Sequence, residues 1–139
     1  MTSTVFLLAR IAEDERAAEA VMPSGRPLER GRYGSWRESA SVQRAVMTSG
    51  GEVVAFDVPG KPERVHIARH DPARVLAECE AKRRIVEQAR MAVRLSDETP
   101  DDGNPKAERI HGAATAWECA LDVLALPYAD HPDYRDEWS

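Results

Sequence analysis

The stretch that decides the fold is Val65–Ile85, VHIARHDPARVLAECEAKRRI. Within it, Asp71-Pro72 predicts the start of a helix. An aspartate can accept hydrogen bonds from the free amides of the first turn, and proline fits the first helical position, where no N–H is needed. Because proline also keeps the residue before it out of the helical region, this helix cannot run back continuously into His66.

Apolar residues recur at helical spacing after this start, and they predict a helix over residues 71–95. Its buried stripe consists of Val75, Cys79, Val86, Ala89 and Val93. Lys82 interrupts the stripe. Its stem can cover apolar surface while the ammonium group stays in water, or the ammonium can form a partly buried ion pair with an acid such as Asp14.

Two further helices follow from the same periodicity. The first covers residues 4–22, where alanine is abundant and a Pro/Gly-rich loop follows from Pro23; its stripe is Leu7, Leu8, Ile11, Ala18 and Met22. The second covers residues 106–126, which carry the most regular helical stripe in the chain and end at Pro127. Between the helices 71–95 and 106–126, the acidic segment 96–106 predicts a mobile loop, since it offers no apolar anchor. It lacks the ligand spacing of a calcium loop.

In residues 32–58 the apolar residues no longer recur at helical spacing and fall in short β-prone runs, which predict a small antiparallel sheet. Short β-prone runs indicate strands near 32–38, 41–48 and 51–57, and Gly50-Gly51 is a two-residue hairpin signal. Trp36 and Phe56 are interpreted as core aromatics that seat the sheet on the helices. The chain ends in a tail, 127–139, whose two tyrosines and one tryptophan predict that it docks rather than frays.

Together these elements predict an α+β fold in a single domain, 1–139. A three-helix core, made of a long helical hairpin and the N-terminal helix, carries a sheet of about three strands. The apolar fraction of 42% suffices for one modest core. No run is apolar and long enough to span a membrane, and no signal peptide is evident, so we expect a cytoplasmic protein with Cys79 and Cys119 reduced.

The net charge of −5 is unevenly distributed. Residues 61–95 carry nine basic and five acidic side chains, whereas residues 96–139 carry three basic and eleven acidic ones. A basic helix and an acidic C-terminal third attract each other. This weakens the hypothesis of a nucleic-acid-binding accessory protein, which would use Arg83, Arg84, Arg90 and Arg94 and need them free.

One group of polar side chains is a candidate site. Its members come from two short segments, one at the start of the helix 71–95 and one in the tail after the helix 106–126. If the hairpin helices are antiparallel, the start of the first lies near the end of the second. The six side chains concerned are His66, His70, Asp71, Asp130, His131 and Asp133. Histidines with nearby carboxylates can hold zinc or another divalent ion. They can equally form a hydrogen-bonded latch that docks the tail, which is the preferred interpretation.

Catalytic motifs are missing: the chain has no Gly-rich phosphate loop, GxSxG, CxxC or HExxH. The leading hypothesis is therefore a small non-enzymatic protein without a cofactor that acts through protein–protein contacts, as a homo-oligomer. The main alternative is a metal-binding protein or metal-dependent hydrolase that uses a cluster of His66, His70 and His131.

Three segments carry a resemblance to a known family. They are the opening FLLARIAEDE, the central HIARHDPARVLAECEAKRRIVE and the terminal LALPYADHPDYRDEW. They resemble a family of short actinobacterial and actinobacteriophage proteins of unknown function, over about half of the chain. The resemblance implies an intracellular setting and an actinobacterial or phage origin. It assigns no activity and no site residues.

Overall fold

The structure is a computed structural model that describes residues 2–22, 33–39 and 44–138. Within these ranges lie four helices: α1 (Ser3–Ala20), α2 (Lys61–Arg69), α3 (Pro72–Asp97) and α4 (Pro105–Ala125). Three strands, β1 (Trp36–Ser39), β2 (Ala45–Thr48) and β3 (Val53–Ala55), form one sheet. Short 3-10 turns cover Leu126–Tyr128 and Asp136–Trp138. The predicted loop after Pro23 and residues 41–43 of the second predicted strand lie outside the described residues.

The α+β class and the antiparallel three-strand sheet are confirmed. The strand order is β1-β2-β3, with Trp36 opposite Thr48 and Met47 opposite Val53. The hairpin between β2 and β3 turns at Gly50-Gly51, where Gly51 has a φ of 94°. A side chain is strained at this φ, so glycine is the residue that the turn requires.

Helix α2 has no counterpart among the sequence predictions. Its sequence, KPERVHIAR, has few apolar residues and no marked helical periodicity. Proline fits in its first turn, where the backbone needs no N–H donor. The helix packs on β1 and β2, so tertiary contacts stabilise it where propensity does not. It ends at Arg69, and α3 begins at Pro72, so the break predicted at Asp71-Pro72 is present.

The chain divides into two compact units. The helical unit comprises Met1–Ala12 and Glu80–Ser139, and the sheet unit comprises Glu13–Cys79. The single domain expected from the sequence stays a prediction, and the two units are described separately. None of the helices in the described ranges combines the length and the apolar character that crossing a membrane requires.

In the helical unit, the second part of α3 runs antiparallel to α4. Ser96 near the end of α3 lies 2.7 Å, Oγ to Nδ1, from His111 near the start of α4. At the other end, Lys82 Nζ donates a hydrogen bond of 2.8 Å to Tyr128 Oη, just after α4. The apolar side chains buried in this unit include Phe6, Leu7, Ile11, Val86, Ala89, Ala114, Leu121 and Trp138.

In the sheet unit, the core lies between α2 and the sheet. Ala45, Val46 and Thr48 of β2 are buried, and so is the charged side chain of Arg64. Arg64 donates from Nε to Glu38 Oε2 at 3.2 Å and from Nη1 to the Val58 carbonyl at 2.9 Å. A buried guanidinium needs such partners, because desolvating an unpaired charge costs several kcal/mol.

Candidate functional site

Asp71, a member of the predicted polar site, is used structurally. Its Oδ1 accepts from the backbone N–H of Arg74 at 2.8 Å, which caps the first turn of α3. Its Oδ2 accepts from the backbone N–H of Trp36 at 3.2 Å, which ties β1 to the same helix start. Both carboxylate oxygens therefore already hold backbone amides, and the residue joins helix and strand.

We predict that Asp71→Ala lowers the free energy of unfolding by about 2 kcal/mol, because it removes a helix cap and a partly buried acceptor together. Chemical denaturation followed by circular dichroism measures this change. The matched control is Glu80→Ala, whose partner Arg84 is exposed, and it should change stability by no more than about 0.5 kcal/mol. Equal effects of the two substitutions would show that Asp71 is not a structural link.

His66 lies near the C-terminal end of α2, and His70 follows directly after the helix. Their ring centroids are 4.4 Å apart, and both side chains are exposed. His70 Nδ1 lies 2.9 Å from the His66 carbonyl oxygen, so this nitrogen donates and carries the ring hydrogen. Nε2 of the neutral ring then holds the lone pair.

His131 belongs to the helical unit and contacts α1. Its Nε2 is hydrogen-bonded to Arg10 Nη1, and its ring meets the Phe6 ring edge-on with centroids 5.7 Å apart. A guanidinium can only donate, so Nε2 is the acceptor in this contact. The backbone N–H of Asp133 faces the other ring nitrogen, Nδ1, at 3.1 Å. A metal ion at Nε2 would have to displace Arg10. The Asp133 carboxylate lies 3.9 Å from Nδ1, and both Asp130 and Asp133 are exposed.

The six predicted site residues thus fall into two sets. His66, His70 and Asp71 belong to the sheet unit, whereas the three residues from the tail belong to the helical unit. Among residues 2–22, 33–39 and 44–138, no group of three His, Cys, Asp or Glu side chains is placed to hold a metal ion. The zinc site stays a prediction. The latch among these six residues also stays a prediction, and the contact observed for His131 is with Arg10, which is not one of the six.

The tail packs around Phe6 of α1, which is 1% exposed. The ring centroids of Tyr128, Tyr134 and Trp138 lie 6.3, 6.0 and 4.9 Å from that of Phe6. Trp138 is only 7% exposed. Sequence reasoning identified the tail aromatics from their apolar area, but it did not identify Phe6 or Arg10, since no local signal indicates which distant residue receives a docking segment.

A cleft of about 980 Å³ opens in the helical unit beside the tail. Its apolar lining includes Ala89, Leu121 and Trp138, and its charged lining has both signs. Arg90 lies 3.6 Å from Glu87, and Arg135 lies 3.3 Å from Glu137. Because acidic and basic side chains both line the cleft, it favours neither an anionic nor a cationic ligand.

Two of the four arginines that a nucleic-acid-binding function would use have carboxylates near them. Arg84 pairs with Glu80 at 2.8 Å, and Arg90 has the Glu87 carboxylate nearby. A phosphate backbone would have to compete with these carboxylates. This arrangement favours a solvated helix surface over a nucleic-acid interface.

An exposed apolar surface lies on β3, at one edge of the sheet. Val53, Val54 and Phe56 are 51%, 38% and 70% exposed. The interpretation of Phe56 as a core aromatic is therefore wrong, and Trp36 is only half-buried. Alternation along a short strand does not tell which residues the other elements cover, and here no described element covers Phe56. We call Val53, Val54, Ala55 and Phe56 the β3 surface.

The β3 surface ends at a strained backbone. Asp57 and Arg44 have φ values of 55° and 54°, in the left-handed region that side chains other than glycine rarely adopt. The two residues form an ion pair with each other, and the Val58 amide donates to the Arg44 carbonyl at 3.1 Å. Such strain often accompanies a functional surface, because surrounding contacts must hold it in place.

The comparisons with known proteins assign a family but no activity. The model of a family of unknown function, DUF6221, matches residues 1–139. No curated protein and no solved structure matches the chain. The expected resemblance to a family of unknown function is confirmed and covers the full chain rather than half of it. The actinobacterial or phage origin stays an expectation.

Proposed function

We propose that this chain, which belongs to the DUF6221 family of unknown function, is a small non-enzymatic protein that binds other proteins through the β3 surface. The observation that carries the proposal is the exposure of Val53 and Val54 on an edge strand and of Phe56, 70% exposed, directly after it. Exposed apolar groups that cluster on an edge are typical of interaction sites.

The partner that fits is an extended segment of another protein that adds a fourth strand beside β3. In the described part of the sheet, β3 has a strand on one side only, so its other edge offers backbone groups for pairing. Neither proline nor a charged side chain interrupts residues 53–56, although natural edge strands commonly carry such protection. Glu52 and Asp57 flank the surface and limit uncontrolled association.

A second copy of the chain fits this edge less well. Antiparallel pairing of two β3 strands can place Glu52 of each copy near Asp57 of the other, and like charges across a strand pair are unfavourable. The surface is also too small for a stable dimer, which buries about 800 Å² on each partner. A short apolar segment with β-branched or aromatic residues at alternate positions therefore suits it best.

Selection of short random peptides displayed on phage against the purified protein tests this proposal. We expect enriched peptides with alternating apolar residues, whose affinity, measured by titration calorimetry, falls about tenfold or more in Phe56→Ser and in Val54→Lys. The matched control is Met91→Ser, which removes an exposed apolar side chain from α3 and should leave the affinity unchanged. Failure to enrich peptides, or equal binding to all variants, would overturn the proposal.

We also place the protein in the cytoplasm. The two cysteines support this location, because Cys79 and Cys119 are both free thiols. Unpaired cysteines are common in a reducing compartment.

A further inference from the structure

Helix α4 carries a second apolar stripe on its exposed side. The residues are Gly112, Ala116, Cys119 and Val123 of α4 and Leu126, which begins the 3-10 turn after it, and all five are exposed. They follow each other at intervals of four, three, four and three residues, the spacing of a coiled-coil seam. Val123 is 63% and Leu126 45% exposed, so the stripe includes large side chains as well as small ones.

The helix cannot bury this stripe in its own unit. The buried residues of α4, such as Ala107, Ala114 and Leu121, lie on the opposite side of the helix, because successive residues are rotated by about 100°. A side chain built at Gly112 would meet no atom within 4 Å. The exposed side of α4 is therefore free to receive another helix.

The shape of the stripe favours a partner with the same stripe in the opposite direction. Its first half has small residues, Gly112 and Ala116, and its second half has the larger Val123 and Leu126. An antiparallel pair of α4 helices places the small half of each against the large half of the other, so that large side chains fill the space above small ones. A parallel pair would set Gly112 against Gly112 and leave a gap.

The charges beside the stripe favour the same arrangement. Arg109 precedes the stripe and Asp130 follows it, and both residues are exposed. In an antiparallel pair, Arg109 of each copy comes near Asp130 of the other. The helix dipoles are also opposed, which is electrostatically favourable.

We propose that the occupant of this stripe is a second copy of the chain, paired through α4 about a twofold axis close to Cys119. From Gly112 to Leu126 the contact is about 21 Å long. This is shorter than the contact of most stable dimers, so the dimer forms in a concentration-dependent way. The proposal does not depend on the β3 surface and stands if that surface binds nothing.

Oxidative cross-linking through the native cysteines tests the pairing. Cys119 is exposed and Cys79 is buried, so only Cys119 is accessible to form a disulfide between copies. Mild oxidation should give a dimer that a reductant reverses, and that Cys119→Ser abolishes. Val123→Glu should reduce dimer formation about tenfold, whereas Met91→Glu, on the exposed side of α3, should not. Circular dichroism confirms that each variant is folded.

The orientation is tested in a Cys119→Ser background. When Gly112→Cys and Leu126→Cys variants are mixed, an antiparallel pair gives cross-links between the two variants, whereas a parallel pair gives cross-links within each. Light scattering over a concentration series gives the mass without oxidation. A folded Val123→Glu variant that cross-links as fast as the native chain, or a mass that stays monomeric at the highest soluble concentration, overturns the proposal.

Discussion

Replacing Arg64 by alanine is expected to lower the free energy of unfolding by about 3–4 kcal/mol, since removing one member of a buried ion pair strands the other. The Arg64 side chain is 7% exposed and that of its partner Glu38 is 24% exposed. The substitution leaves the Glu38 carboxylate without its cation. It also removes the donor to the Val58 carbonyl and the contact of 3.4 Å with the Pro59 carbonyl.

Chemical denaturation of the native chain and of Arg64→Ala measures this loss. The matched control is Arg84→Ala, because the Arg84 side chain is 77% exposed and pairs with Glu80 at the surface. It should cost no more than about 0.5 kcal/mol. The double variant Arg64→Met/Glu38→Leu should recover part of the loss, because an apolar pair needs no charge compensation. A loss in Arg64→Ala as small as that in the control would contradict the assigned role of Arg64.

Ending the chain after Leu126 is expected to lower the melting temperature by roughly 10 °C, for a loss of about 3–5 kcal/mol. The truncation removes Trp138, which is 7% exposed, together with Tyr128 and Tyr134. It uncovers Phe6, on which these rings pack, and it removes the His131 acceptor from the buried Arg10. Differential scanning calorimetry of the two chains gives both the melting temperature and the enthalpy.

Phe6→Ala removes the α1 member of the same aromatic cluster. It should lower the free energy of unfolding by about 3–4 kcal/mol. Because Phe6 and the tail contact each other, the combined loss in a truncated Phe6→Ala chain should be smaller than the sum of the two separate losses. Met91→Ala, at an exposed position of α3, serves as the control with little expected change. Additive losses, or an unchanged melting temperature after truncation, would show that the tail contributes nothing through Phe6.

Local signals in the sequence predicted the boundaries of three of the four described helices to within two residues. The Asp71-Pro72 pair marks the start of α3, and the hydrogen bond from Arg74 N to Asp71 shows the capping that the residue pair predicts. The predicted helices 4–22, 71–95 and 106–126 compare with Ser3–Ala20, Pro72–Asp97 and Pro105–Ala125 in the structure. Gly50-Gly51 marks the hairpin. Each of these signals acts within a few residues through backbone geometry, so the sequence displays it directly.

The distant partners of the candidate site residues were not predicted from the sequence. Asp71 was predicted both as the cap of α3 and as a member of the polar site; its Oδ1 caps α3 through the Arg74 amide, whereas its Oδ2 accepts from the Trp36 amide, which no local signal indicates. His131 was predicted as a member of a latch or of a metal site, and its Nε2 is hydrogen-bonded to Arg10, 121 positions earlier in the chain. A residue type indicates that a side chain can form hydrogen bonds, but it does not indicate which partner the fold supplies.

The sequence by itself determined where three of the four described helices begin and end, where the hairpin turns, and that the tail carries too much aromatic area to remain in water. These properties depend on backbone preference and composition, which act locally. The tertiary structure decided that residues 61–69 form a helix, that Phe56 is exposed, and that the tail aromatics pack on Phe6. Such choices depend on which apolar surfaces meet across long stretches of chain, and burial, rather than any local preference, selects among them.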